Sequence, residues 1–126
     1  IALTLDSSQN ATFGGSVSDS KGNLRSIPRN GQGSTYTIAA SDAGKAIGMT
    51  NTVTVDNSVM SAGDAVTIIN ENNANITITQ GSGFTLYNAA SGTDAAGGDR
   101  TLAPRGICTL YFPSSSQAYI TGAGLS

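Results

Sequence analysis

After Ser34 the chain alternates apolar and hydroxyl-bearing positions with a period of two. Tyr36 and Ile38, Val53 and Val55, Val66 and Ile68, Ile76 and Ile78, Phe84 and Leu86, and Cys108, Leu110 and Phe112 all follow it, as does either Ala118 with Ile120 or Tyr119 with Thr121. Threonine fills most of the intervening places, so each run offers one apolar and one hydroxyl-rich face, which is what half-buried strands require. The breaks between runs, such as SDAGK, DNSVMSAGD, NENNAN, QGSG and FPSSSQ, are turn chemistry. Many short strands at close spacing predict an all-β fold, a single antiparallel β-sandwich or jelly-roll-like domain over 35–126. Upstream, Leu3 to Leu5 and Ala11 to Phe13 flank DSSQN as a hairpin candidate. From Gly14 to Gly33 the pattern dissolves, and residues 1–34 read as an extended N-terminal arm.

The most hydrophobic run is GICTLYFP. Its alternation places Cys108, Leu110 and Phe112 in the core, with Ile107 and Tyr111 against another strand layer or a sister chain. Pro113 is expected to end the strand, since it lacks a ladder donor.

Composition sharpens this picture. Gly, Ser, Thr and Asn make up 57 of 126 residues, whereas Lys, Arg, Asp and Glu supply only 14. A net charge of −2 offers nothing to hold the chain on nucleic acid or an anionic membrane, and neither is expected as a partner. The lone Cys108 has no partner for an internal disulfide and sits in a strand-like context that predicts burial. The chain starts at Ile1 without methionine, which points to processing or to a C-terminal piece of something longer.

The candidate chemistry is thin. Gly44-Lys45 after a strand resembles the end of a phosphate-binding loop, but that loop needs a glycine where Ala39 stands and a hydroxyl where Ala46 stands. The reading that remains is a turn, with Gly44 at positive φ and at most one helical turn capped by Ser41. Without histidine, no Ser-His-Asp or Cys-His arrangement and no His-based zinc site is available. Asp94 and Asp99 could pair around calcium, yet the spacing fits no calcium loop, and the acidic residues read as turn formers. Lys21, Arg25, Arg29, Arg100 and Arg105 are dispersed and suit solvated loops or subunit contacts. Tyr36, Tyr87, Tyr111 and Tyr119 could stack on sugars if exposed together, but their strand-like context favours core or interface positions. The sequons at Asn10 and Asn75 carry meaning only in a eukaryotic secretory route. No catalytic, cofactor-binding or metal-ligating residue is assigned, and no enzymatic activity is expected.

Two groups of segments bear a family resemblance. LTLDSSQNATFGGSVSDSKGNLRSIP resembles the junction segments of tailed-phage fibre proteins, where a hairpin leads out of a fibrous shaft. YTIAASDAGKAIGMTNTVTV, AGDAVTIINENNANITITQGSGFTLYNA, GDRTLAPRGICTLYF and AYITGAGLS resemble the C-terminal β-module of such proteins in phages of marine cyanobacteria and other marine bacteria. The resemblance implies a structural virion protein, located at phage tail or capsid surface; residues 14–33 hold too few apolar side chains to be ordered within one chain, which predicts a homotrimer whose interface uses the arm. Its partners would be sister chains, other virion proteins and a host-surface glycan. Two alternatives stand beside this reading: a capsid decoration protein, and a carbohydrate-binding module.

Overall fold

The computed structural model describes residues 3–5, 7–8, 10–20, 22–24, 26–92 and 96–126, with the side chains of 3–5 left aside. The fold is all-β, as the alternation predicts. The arm carries two small hairpins. Strand β1 (Leu3–Leu5) pairs antiparallel with β2 (Ala11–Phe13), and β3 (Ser18–Asp19) pairs with β4 (Gly22–Asn23). Neither hairpin joins the main sheet.

The main body winds between two layers. Strands β5 (Arg29–Gln32), β7 (Ala46–Met49) and β9 (Ala65–Asn70) lie parallel in the first layer, with Arg29 beside Ala46 and Ala46 beside Thr67. The intervening β6 (Tyr36–Thr37), β8 (Val53–Val55) and β10 (Ile76–Gln80) lie parallel in the second, with Tyr36 beside Val53 and Val53 beside Ile78. Each pass through one layer is therefore the crossover for the other, and the chain builds short coils in the manner of a β-solenoid.

Strand β12 (Arg100–Ser114) closes the coils at the β9/β10 end. Its first part runs antiparallel to β10, with Leu102 opposite Ile76, and its second part antiparallel to β9, with Cys108 opposite Ile68. Between the two the register shifts, and Arg105 takes φ 62°, a bend that carries one strand across both layers. Strand β13 (Gln117–Leu125) pairs antiparallel with β12, and β11 (Thr85–Asn88) pairs parallel with β13.

An antiparallel domain was the expectation, and the pairing is mixed: five of the eight strand pairs in the main sheet are parallel among the described residues. Alternation reports which face of a strand is buried and carries no information on the direction of its neighbour. A second difference concerns the arm. Arg29–Gln32, placed by sequence within residues 1–34, forms the outermost strand of the first layer. Its residues, Arg-Asn-Gly-Gln, have no apolar periodicity to reveal it.

The core lies between the layers. Ile47, Ile68 and Cys108 stack across the first layer at 0–1% exposure, while Val53 and Ile78 face them from the second. Leu110, Phe112, Ala118 and Ile120 complete it, so the alternation in β13 resolves to Ala118 and Ile120. Pro113 does not end β12, which runs one residue further before the Ser115–Ser116 turn. The outward positions are hydroxyl-rich as expected: Thr37, Thr54 and Thr79 form one row across the second layer, and Thr67, Thr109 and Thr121 another across the first.

Candidate functional site

The loop SDAGK begins with a 3-10 turn at Ala40–Asp42. Its N-cap is Ala39 rather than Ser41, and Asp42 at the third helical position reaches back to it: the carboxylate Oδ2 accepts the Ala39 backbone N–H at 2.9 Å. Asp42 is 1% exposed and also accepts the Tyr36 hydroxyl at 2.7 Å and Asn30 Nδ2 at 2.8 Å. Gln32 Nε2 in turn donates to Asn30 Oδ1 at 2.7 Å. This network caps the apolar interior at the β5/β6 end, where Asn30 stands in line with Ile47 and Tyr36 with Val53. A buried carboxylate is tolerable only with its acceptor capacity used, and here three donors from three segments use it. Burial, then the bond to Asp42, raises the Tyr36 phenol above its ordinary value. Nothing in the sequence distinguished Asp42 from the other turn aspartates, because its partners come from β5 and β6.

Gly44 follows at φ 78°, as expected, and a Cβ built there would meet nothing within 4 Å. The space above it belongs to a cleft of about 530 Å³ between the arm and the sheet. Leu24, Ile27 and Pro28 form its arm side, and Gly44, Gly63 and Ala65 its floor. Two carboxylates reach its lining, and both cap backbone turns: Asp64 accepts the Ser61 N–H at 2.8 Å and Asp19 the Gly22 N–H at 3.2 Å. Apart from these two carboxylates the cleft is lined by small and apolar residues with Asn23 and Ser26.

The other residues singled out from sequence scatter. Asp99 accepts the Gln80 N–H at 2.8 Å, a turn role, while Asp94 lies outside the described residues, as do Lys21 and Arg25. Arg29 lies across the first layer in a bidentate pair with Glu71 at 2.7 Å and 2.8 Å. Gly48 lies beneath that pair, and a Cβ there would push the Glu71 carboxylate aside. Arg105 donates to the Glu71 carbonyl at 2.8 Å and to Asn73 Oδ1 at 2.6 Å, and Arg100 donates to the Leu86 carbonyl at 2.9 Å. These arginines tie the coils together. Asn10 and Asn75 are both exposed. Cys108 is buried, and desolvation pushes its thiol up to about 12, against a weaker opposing effect of a backbone hydrogen bond with Ile68.

The tyrosines divide. Tyr36 belongs to the Asp42 network, whereas Tyr87, Tyr119 and Tyr111 sit side by side on the outer face of the first layer. Tyr87 and Tyr119 stack with centroids 5.5 Å apart, and Tyr111 and Tyr119 are about half exposed. Among the described residues no second layer covers Ile107 or Tyr111, which are 46% and 51% exposed, so the strand layer expected over them is not the one that packs there.

Comparison with protein-family models, with curated proteins and with solved structures gives no match.

Proposed function

We propose that this chain is a non-enzymatic structural module of a tailed-phage fibre or virion appendage, assembled as a homotrimer at the phage tail or capsid surface. The observation that carries the reading is the asymmetry of the winding. Coils stack in parallel from an open first turn, where β5 and β6 each pair on one side only, to a far end closed by β12 and β13. Such a unit suits the terminus of an extended assembly, with the arm entering at the open end. The all-β fold, the low charge and the resemblance of the arm to fibre junction segments support the same reading. Exposed apolar side chains on both the arm and the outer sheet face favour sister chains as partners.

Two measurements test it. Light scattering of the purified chain is expected to give the mass of three chains, and a monomer at all concentrations overturns the trimer. Gold-labelled antibody is expected to decorate fibre tips on intact virions. Labelling confined to the capsid shell replaces the fibre reading with that of a decoration protein.

A further inference from the structure

Six large hydrophobic residues are exposed among those described, and they fall into two groups. Phe13, Leu24 and Ile27 belong to the arm; Ile107, Tyr111 and Tyr119 belong to the outer face of the first layer. The two groups share one surface. Tyr119 neighbours Tyr111, Tyr111 neighbours Ala65, and the Ala65 carbonyl accepts the Gly44 N–H at 2.7 Å. Extending the β5–β7 register by two residues puts Ile27 beside Gly44, consistent with their shared place in the cleft. A trough thus runs from Ile27 over Gly44 and Ala65 to the tyrosines.

The arm does not cover the tyrosines of its own chain. Four strand spacings separate Ile27 from Tyr119, roughly 19 Å at about 4.8 Å each. The floor between them carries only Gly44, Ala65 and then Tyr111, so the trough is open along its length. Including Tyr87, it is about 24 Å long and, over three side-chain rows, about 14 Å wide. That is roughly 330 Å², well short of the ~800 Å² per partner that a standard interface buries. Two such faces packed together leave the deficit and both arms uncovered, whereas an arm laid on the face adds its own apolar area to the contact. Among the described residues the paired positions from Tyr87 through Tyr119 and Tyr111 to Ala65 carry no charge; at the Ile27 end Asp19 and Asp64 line the cleft as turn caps, and Arg29 is paired with Glu71. Leu24 and Ile27, 63% and 68% exposed, are apolar side chains the arm has to offer that face.

We propose that the arm of one copy, through Leu24 and Ile27, docks on the Ile107–Tyr111–Tyr119 face of the next. The contact is heterologous: arm meets face, never arm with arm or face with face. A heterologous contact closes into a ring when its rotation permits, which is how a threefold assembly arises without a two-fold interface. This inference rests on the self-assembly reading above and names the surfaces that perform it.

The experiment is cysteine pairing under mild oxidation. Ile27→Cys is co-expressed with Ile107→Cys, Tyr111→Cys or Tyr119→Cys on separate chains, all at exposed positions, while the native Cys108 stays buried and silent. A disulfide forms only when Cα atoms approach within about 7 Å, so a covalent dimer reports direct contact. Arm-plus-face mixtures are expected to give covalent dimers in at least one pairing, and each variant alone to give none. Dimers from Ile27→Cys alone, or from a face variant alone, overturn the heterologous contact. Loss of all crosslinks with the trimer mass retained also overturns it, and leaves the proposed function standing. A monomer before any substitution removes both.

Discussion

The wound β-domain and the arm are made from similar residues and reach order by different routes. Every buried hydrophobic residue among those described lies at or beyond Ile38, and none lies in the arm. In the domain each strand is paired within the main sheet, and the apolar faces of the strands beyond β5 meet another layer. In the arm β1–β2 and β3–β4 pair only within themselves, and isolated two-stranded hairpins are marginal in water. The lesson concerns burial. Turn chemistry specifies a hairpin, but a second surface is needed to hold it in place, and under the docking proposed above a neighbouring copy supplies it.

The comparison is sharpest in the core. Leu110→Ala and Phe112→Ala each remove a fully buried side chain, and each is expected to cost about 2–5 kcal/mol in urea unfolding. A loss below about 1 kcal/mol for both breaks the claim that the core lies between the layers.

Next comes the polar plug. Asp42→Ala leaves the Tyr36 hydroxyl and the Ala39 N–H without their acceptor, and Asn30 Nδ2 with only the Tyr36 oxygen at 3.2 Å, and is expected to cost about 1.5–3 kcal/mol. Hydrogen exchange should show the loss at β5 and β6 first. Uniform loosening that begins at β12 instead would mean the network does not close that end.

Gly44→Val forces a β-branched residue to φ 78° and is expected to cost about 1–2 kcal/mol. Lys45→Ala changes stability by less than about 0.5 kcal/mol, as surface substitutions do. Equal effects from the two variants would show that the turn does not depend on the glycine.

The Cys108 thiol supplies a pH test. Its folded value of about 12 stands above the ordinary 9.0, so the folded state holds the proton where the unfolded state has released it. The stability tied to that proton is complete below pH 9 and is lost as pH rises from about 9 towards 12. The urea midpoint of the native chain is expected to fall more steeply across the accessible part of that window than that of Cys108→Ala. Parallel profiles would show an unburied thiol. Leu24→Asp in the arm is the smallest expected change, within about 0.5 kcal/mol for the isolated chain.

The sequence by itself determined the all-β class, the first hairpin, the turn at Gly44 and the inward residues of the alternating runs, such as Val53 and Val55, Ile76 and Ile78, and Leu110 and Phe112; the strand Ala46–Met49, with Ile47 and Met49 in the core, was hidden in what reads as a loop. The legible features follow from side-chain period and turn chemistry, both local properties. Burial of Cys108 was legible for the same reason. Strand direction was not, because alternation is identical in parallel and antiparallel neighbours; the winding between two layers and the bend of β12 at Arg105 exist only once distant segments meet. Gln-bearing β5 escaped notice because its inward residues are polar and serve the Asp42 network. The trough from Ile27 to Tyr119 joins positions 27, 44, 65, 111 and 119, far apart in the chain. Tertiary structure alone decided it, since proximity across a sheet depends on pairing and leaves no mark in any single segment.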